Sequence, residues 1–410
     1  MKPSKLGVEM NVLYLFAGVE RKADFEDCLL QEIEALNSEL LHHHITLVME
    51  NVDTLRGGQS HNLLCKQRRD EYIQKIKDAK YDLTVIAAPC NKHSRAVFAN
   101  SDGPKPIRDF WHPRGFKDLP AEARILADES NTLLDFGVQA IEAVAEAMAK
   151  AVSWRTPRAL FEFPEDLGEA KLGTPASAWQ ETRLVKAGQQ GMDRGAVFQC
   201  EWAEITYQKP TGLMTNIREI VAHEGFYAGW PAFISGKMPC GRPSPRIYNG
   251  PLPRLCKHGN RHEALIGRSK DGGFKTGPTG AYPPDFCRKL AKCCLADFCR
   301  RMSSKADAIT PMEGRAAEST AESSELTPAT LEKYRKIRAA CSWEHLGDNI
   351  SVSSPFPAEV LEKLLAIAKR CQLADGRAAQ GSTVCLGLTS RGGSPSWPTP
   401  GQRTSWHFQH

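Results

Sequence analysis

Two residues of this chain have the type and setting of reactive groups. Cys90 follows the apolar run Leu83-Thr-Val-Ile-Ala-Ala88-Pro89, and the polar stretch Asn91-Lys-His-Ser94-Arg95 comes after it. Glu162 lies near the end of a second apolar run, Arg158-Ala-Leu-Phe-Glu162-Phe-Pro164. A thiolate can add to an electron-poor carbon and so divide one difficult step into two easier ones. A carboxyl group beside it can hold or supply a proton. Each residue also has a plainer reading. Free cysteine is often a small core residue, and the glutamate could cap a following helix or pair with a lysine. Arg95 is either a phosphate-binding guanidinium or a surface charge.

The elements that must position these residues alternate. Asn11 to Ala17 reads as a buried strand ending at Gly18. Ala23 to Leu40 carries helical spacing at Phe25, Leu29, Ile33, Leu36 and Leu40. Ile45 to Met49 is a short β-rich run followed by Glu50 and Asp53. Arg68 to Lys77 is amphipathic, and the strand ending before Cys90 follows. Ala121 to Ala151 reads as one long helix, and the Glu162 strand comes next. Such alternation predicts an α/β fold of βαβ units, a doubly wound parallel sheet with helices on both faces. Open sheets of this kind place their chemistry at the carboxyl ends of the strands. Ala196 to Trp202 and Leu213 to Ile217 read as later strands, Gly229 to Gly250 as irregular, and Asp285 to Met302 as a basic, cysteine-rich helix. The chain thus divides into a catalytic-type domain over 10–302, with a short insertion at 217–255, and a Ser/Thr/Ala/Glu linker over 303–326. A small helical appendage follows over 327–375, and then a tail over 376–410 whose composition predicts disorder.

Composition narrows the setting. The chain has 410 residues, 41% hydrophobic, which is enough for a sizeable core. Its 13 cysteines follow no framework spacing, so they are expected to be mostly reduced, in a cytoplasmic or nuclear protein. The short apolar run near the N-terminus predicts neither a secretory signal nor a membrane span. Net charge is +5, yet between Arg254 and Arg301 there are 11 Lys/Arg against four Asp/Glu. That stretch suits a polyanion such as nucleic acid, or is a solvated basic helix face.

The order of these pieces resembles the cytosine-5 DNA methyltransferases. The matching segments are Leu15-Phe16-Ala17-Gly18, the acids Glu50 and Asp53, Pro89-Cys90-Asn-Lys-His-Ser94, and Phe161-Glu162-Phe-Pro164. Gly280-Ala-Tyr-Pro283-Pro284 resembles the family's closing segment, and Cys200-Glu-Trp to Gln208-Lys209-Pro-Thr-Gly212 resembles the segment before target recognition. The likeness spans about residues 10 to 300 and is closest to divergent members. It implies a Rossmann-like class I methyltransferase sheet with S-adenosylmethionine as cofactor and nucleic acid as partner, DNA rather than RNA. It makes Cys90 the nucleophile toward carbon 6 of a flipped cytosine, Glu162 the partner of ring nitrogen 3, and Arg95 a phosphate or carbonyl contact. Phe16, Ala17, Gly18 and Pro89 would line the cofactor, with Glu50 or Asp53 on its ribose. Several positions differ from the family pattern. Val19-Glu20-Arg21-Lys22 replaces a glycine-rich loop, and Asn91, His93, Phe163 and Gly212 replace Gln, Phe, Asn and Arg. The altered loop and Phe163 motivate a second reading, a catalytically silent nucleic-acid-binding relative. A third reading is an RNA cytosine methyltransferase.

One cluster stands outside this scheme. In Cys256-Lys-His258-Gly-Asn-Arg-His262 a thiolate and two imidazoles could surround zinc, with Cys240 or Cys200 as fourth ligand. The spacing is not that of a standard finger, and the same residues could be loop side chains bonded to backbone. The sequence by itself assigns no metal.

Overall fold

The computed structural model describes residues 6–308, apart from 41–42, 100, 102, 152–153, 260–261, 266, 269 and 271. The expected appendage and tail, and the expected linker beyond residue 308, lie outside the described residues. In chain order the main elements are β1 (Leu6–Leu15), α1 (Phe25–Glu39), β2 (His43–Val52), α2 (Thr54–Gly57), α3 (Lys66–Lys77), β3 (Leu83–Ala87), α4 (Ala121–Lys150) and β4 (Arg158–Pro164). Then come α5 (Thr182–Gly188), β5 (Asp193–Phe198), α6 (Gln199–Trp202), β6 (Pro210–Thr215), α7 (Arg218–Val221), β7 (Tyr227–Ala228), β8 (Phe233–Lys237), β9 (Pro243–Tyr248) and α8 (Pro284–Ala308).

Seven strands form one sheet in the order β2-β1-β3-β4-β6-β5-β7. The first four in this order are parallel, while β6 runs antiparallel to both β4 and β5. The sheet is therefore mixed, not wholly parallel as the alternation predicted. Only 11 residues separate the end of β5 at Phe198 from Pro210, too few for the crossover helix that parallel neighbours require. Strand β1 alternates between two cores. Met10, Val12 and Tyr14 pack with α1 and α8, while Leu13 and Leu15 pack with α3 and α4. Both faces of the sheet are thus covered, as the near-continuous apolar runs require.

Three sequence expectations are corrected. The run Ala196 to Trp202 is not one strand: pairing stops at Phe198 and the chain turns into α6. There the Gln199 amide nitrogen donates to Lys209 O at 3.1 Å, and its side chain donates to the Thr211 hydroxyl at 3.0 Å. The irregular stretch Gly229 to Gly250 contains the β8–β9 hairpin, whose register shifts between Ile234 and Gly236. Helix α8 does not stop at Met302 but continues to Ala308, because Ser303 to Ala308 includes no Gly or Pro to break it.

Gly212 has a packing explanation. Its hypothetical Cβ would stand 2.6 Å from the Trp179 indole. That indole is fixed by an Nε1–H bond to Pro164 O at 2.9 Å and lies under the Arg194 guanidinium, 4.4 Å from its ring centre. No side chain fits there, so the arginine of the family pattern is sterically barred. Gly212→Ala is expected to cost about 1–3 kcal/mol, the usual penalty of overpacking, read as a lower urea midpoint. An unchanged midpoint would mean that Trp179 is free to move.

Among the described residues no helix is long and apolar enough to cross a membrane.

Candidate active site

Strand β1 is flanked by β2 on one side and β3 on the other. The chain winds first to one side of β1 and then to the other, and the carboxyl ends of β1 and β3 border the resulting crevice. Three predicted segments meet at this edge: Phe16 to Gly18 after β1, Pro89-Cys90 after β3, and Glu162 on β4, paired in register with Ala87.

Cys90 is half-buried and precedes a single turn of 3-10 helix, Asn91–His93. Burial pushes its thiol up to about 11; the Glu162 carboxylate adds to the shift and the Lys209 ammonium opposes it. Glu162 is itself buried and shifted upward by desolvation, against the pull of Lys209 and Tyr282. The Tyr282 hydroxyl is near enough to favour the ionised carboxylate but completes no hydrogen bond of good geometry among the described residues. Cys90, Glu162 and Lys209 therefore form one electrostatic unit: a thiol and a carboxyl that repel each other when both are ionised, and a cation that steadies either charge.

Lys209 and Tyr282 were given no role by the sequence reading. Lys209 Nζ donates to Thr279 O at 2.7 Å and sits 5.7 Å from the Tyr282 ring centre. Both lie in segments that carried the resemblance, so the signal was present, but their convergence on Glu162 depends on β6 and the start of α8 folding back to β4.

The Gly18 loop has its own framework. Phe16 adopts a left-handed φ of 63°, unusual for a bulky residue. Its amide donates to Val52 O at 2.8 Å, and its ring meets Phe136 edge-on. The Gly18 amide donates to Asp53 Oδ2 at 3.0 Å, and Arg56 Nε donates to Gly18 O at 3.0 Å. Arg56 also pairs with Asp24 and Glu26. From the substituted part of the loop, Arg21 Nη1 donates to Tyr282 O at 2.8 Å. The charged loop thus helps hold Tyr282 beside Glu162.

The remaining predicted residues are placed as follows. Asp53 caps α2, with Oδ1 accepting from the Leu55 amide at 2.8 Å, so both its oxygens shape the loop. Glu50 lies within β2, not after it, and accepts from Tyr81 and Lys75. Arg95 donates through both Nη atoms to the carbonyls of Gly168 and Glu169, each at 2.5 Å, and so ties the Cys90 loop to the exit of β4. Pro89 links Ala88 in the core to Cys90.

Two structural observations fit a cofactor with hydroxyl groups in this crevice. A Cβ built on Gly18 would meet nothing within 4 Å among the described residues, so the loop is open there. Among the described residues Asn51 Oδ1, one residue before the end of β2, is a buried acceptor without a partner, although its Nδ2 donates to Glu26. A ligand hydroxyl could complete it.

His93 explains two further departures together. It is buried and its ring meets Phe163 edge-on at 5.4 Å. Arg108 Nη1 lies 2.8 Å from Nε2. A guanidinium can only donate, so Nε2 accepts and Nδ1 carries the proton. Burial, with Arg108 and Arg114 nearby, pushes the imidazole down to about 3. A base depressed in this way contributes stability above its unfolded pKa, and that stability is lost as pH falls from about 6.5 toward 3. Between pH 7 and 5 the protein should lose about 2 kcal/mol more than His93→Asn does. Urea midpoints at both pH values check this, and parallel losses would refute it.

No protein-family model, curated protein or solved structure matches the chain.

Proposed function

We propose that the protein transfers a methyl group from S-adenosylmethionine to carbon 5 of cytosine in DNA through a covalent Cys90 adduct. The observation that carries this reading is the meeting of Cys90, Glu162 and Lys209 at the carboxyl edge beside the switch point, in the order of the resembling motifs. The Cys90 thiolate would form a bond to carbon 6 of the ring while Glu162 delivers a proton to nitrogen 3. The carbon 5–carbon 6 π pair then lies between carbons 4 and 5, the carbon 4–nitrogen 3 pair takes up the proton, and carbon 5 is left nucleophilic. The cofactor, when bound, supplies the electrophilic methyl group. Loss of the carbon 5 proton to solvent water with cleavage of the sulfur–carbon 6 bond, and return of the nitrogen 3 proton to Glu162, would restore the thiolate and the protonated carboxyl. A protonated Glu162 serves twice: it donates to the ring, and it no longer repels the thiolate. Lys209 would steady whichever of the two groups carries the charge. Phe16 to Gly18 and Asn51 would hold the cofactor. The basic stretch from Arg254 to Arg301 supports a nucleic-acid partner, although Arg300 and Arg301 are engaged with Asp297.

The engagement of the Gly18 loop by Asp53, Arg56 and Arg21 favours a second reading, a nucleic-acid-binding protein without transferase activity. Calorimetric titration with S-adenosylmethionine separates the two. Saturable heat at a stoichiometry near one is expected, and no heat together with no covalent trapping on 5-fluorocytosine DNA would establish the silent reading. Trapping on single-stranded RNA but not DNA would assign the substrate to RNA.

A further inference from the structure

We infer that Cys200, Cys256, His258 and His262 form a structural zinc site that pins the loop after β9 to the end of β5. One ligand atom from each of the four lies within 4.8 Å of every other. The Sγ of Cys256 is 3.7 Å from His262 Nε2 and 3.9 Å from Nδ1. A tetrahedral zinc with bonds of the usual length sets a sulfur–nitrogen edge of about 3.6 Å. The cluster is therefore close to closed, and a small inward shift of the imidazoles completes it. Two cysteines and two histidines are a preferred zinc donor set. Two thiolates balance the charge of the ion, so the centre is neutral overall.

The ligands come from two segments some 56 residues apart, and both are anchored independently of any metal. Cys200 lies in α6 at the end of β5. Its neighbour Glu201 accepts from the Lys257 amide at 3.0 Å and from the Tyr227 hydroxyl at 3.0 Å. On the other side the Glu263 amide donates to Thr206 O at 2.7 Å. Between these anchors Gly259, at φ +73°, closes a turn on Cys256, its amide donating to Cys256 O at 3.0 Å. Outer contacts of this kind orient the ligands of metal sites. Cys200 and Cys256 are buried with Leu252 and Phe198, whereas the imidazoles border a surface groove of about 860 Å³ that offers a path for the ion. Four protein ligands leave no open position, which marks a structural and not a hydrolytic metal. The site is independent of the methyl-transfer reading. It also selects Cys200 over Cys240, since Cys240 is exposed and outside the cluster.

The test uses the full chain purified without chelator. Elemental analysis should return about one zinc per chain. Exchange with cobalt should give the visible bands of a tetrahedral ion and a thiolate-to-cobalt charge-transfer band. Cys200→Ser, Cys256→Ser and His262→Ala should each lower the zinc to below about a tenth of an equivalent, while Cys240→Ser keeps it. The cobalt spectrum of the unsubstituted protein does not depend on whether a variant folds. A folded protein with under about 0.1 zinc per chain and no cobalt bands would overturn the inference. So would a mapped Cys200–Cys256 disulfide, or loss of zinc in Cys240→Ser.

Discussion

Cys90→Ser protein should form no adduct with DNA containing 5-fluorocytosine, and its methyl-transfer rate should fall by about 10³-fold or more. Fluorine takes the place of the proton that must leave carbon 5, so elimination is blocked and the sulfur–carbon 6 bond persists. A denaturing gel that retains a protein–DNA band for the unsubstituted chain alone would check the first outcome. A band that survives in Cys90→Ser would move the nucleophile elsewhere. The surroundings of the thiol also predict the pH dependence. With a pKa of about 11, only about 0.1% is thiolate at pH 8. Trapping should therefore speed up about tenfold per pH unit over the range in which Glu162 remains able to deliver its proton. Lys209→Met removes the cation that lowers the pKa of Cys90. It should slow trapping at every pH while leaving the fold intact, which near-ultraviolet circular dichroism can verify. Equal trapping rates in the two proteins would remove Lys209 from the site.

The sequence made the site's main carriers legible because they are strand ends. Apolar runs that stop at Pro89-Cys90 and Phe163-Pro164 mark where a sheet meets solvent, and the alternating helices fix which ends face the same edge. The residues that stayed hidden act across the fold. Lys209 and Tyr282 lie 47 and 120 residues beyond Glu162, and nothing local predicts that they meet it. The departures from the family pattern were visible as substitutions, yet their meaning needed neighbours. Arg21 belongs to the charged loop that replaces a glycine-rich one, and it holds Tyr282. Gly212 stands where an arginine was expected and lies under Trp179. His93 and Phe163 replaced two residues and pack on each other. The mixed order of the sheet was missed for a similar reason: strand-like runs carry no direction, and only the short connection before β6 excludes a crossover. Glu50 falls inside β2, not after it, because β2 extends three residues beyond the apolar run ending at Met49.

The largest expected loss of stability comes from a pair with no signal in the sequence. Glu165, just after β4, pairs with Arg194 on β5, and both side chains are almost wholly buried. Arg194 also donates to Gly229 O at 2.7 Å and faces the Trp179 and Trp230 rings, while Tyr248 donates to Glu165 at 2.8 Å. The neighbouring acids repeat the pattern: Asp166 pairs with Arg246 and Glu169 with Arg242. The exit of β4, beginning three residues after Glu162, is thus joined by ion pairs to β5 and to the β8–β9 hairpin region. Glu165→Ala leaves a guanidinium buried without its counter-charge, which is expected to cost about 3–5 kcal/mol. Desolvation opposes the Coulombic attraction within such a pair, so replacing both members with apolar residues of similar volume, Glu165→Met with Arg194→Met, should recover much of that loss. Urea unfolding of the two single variants and the double variant measures the coupling. A double variant no more stable than Glu165→Ala would show that the pair's contacts with Gly229, Tyr248 and the tryptophans matter more than its charges.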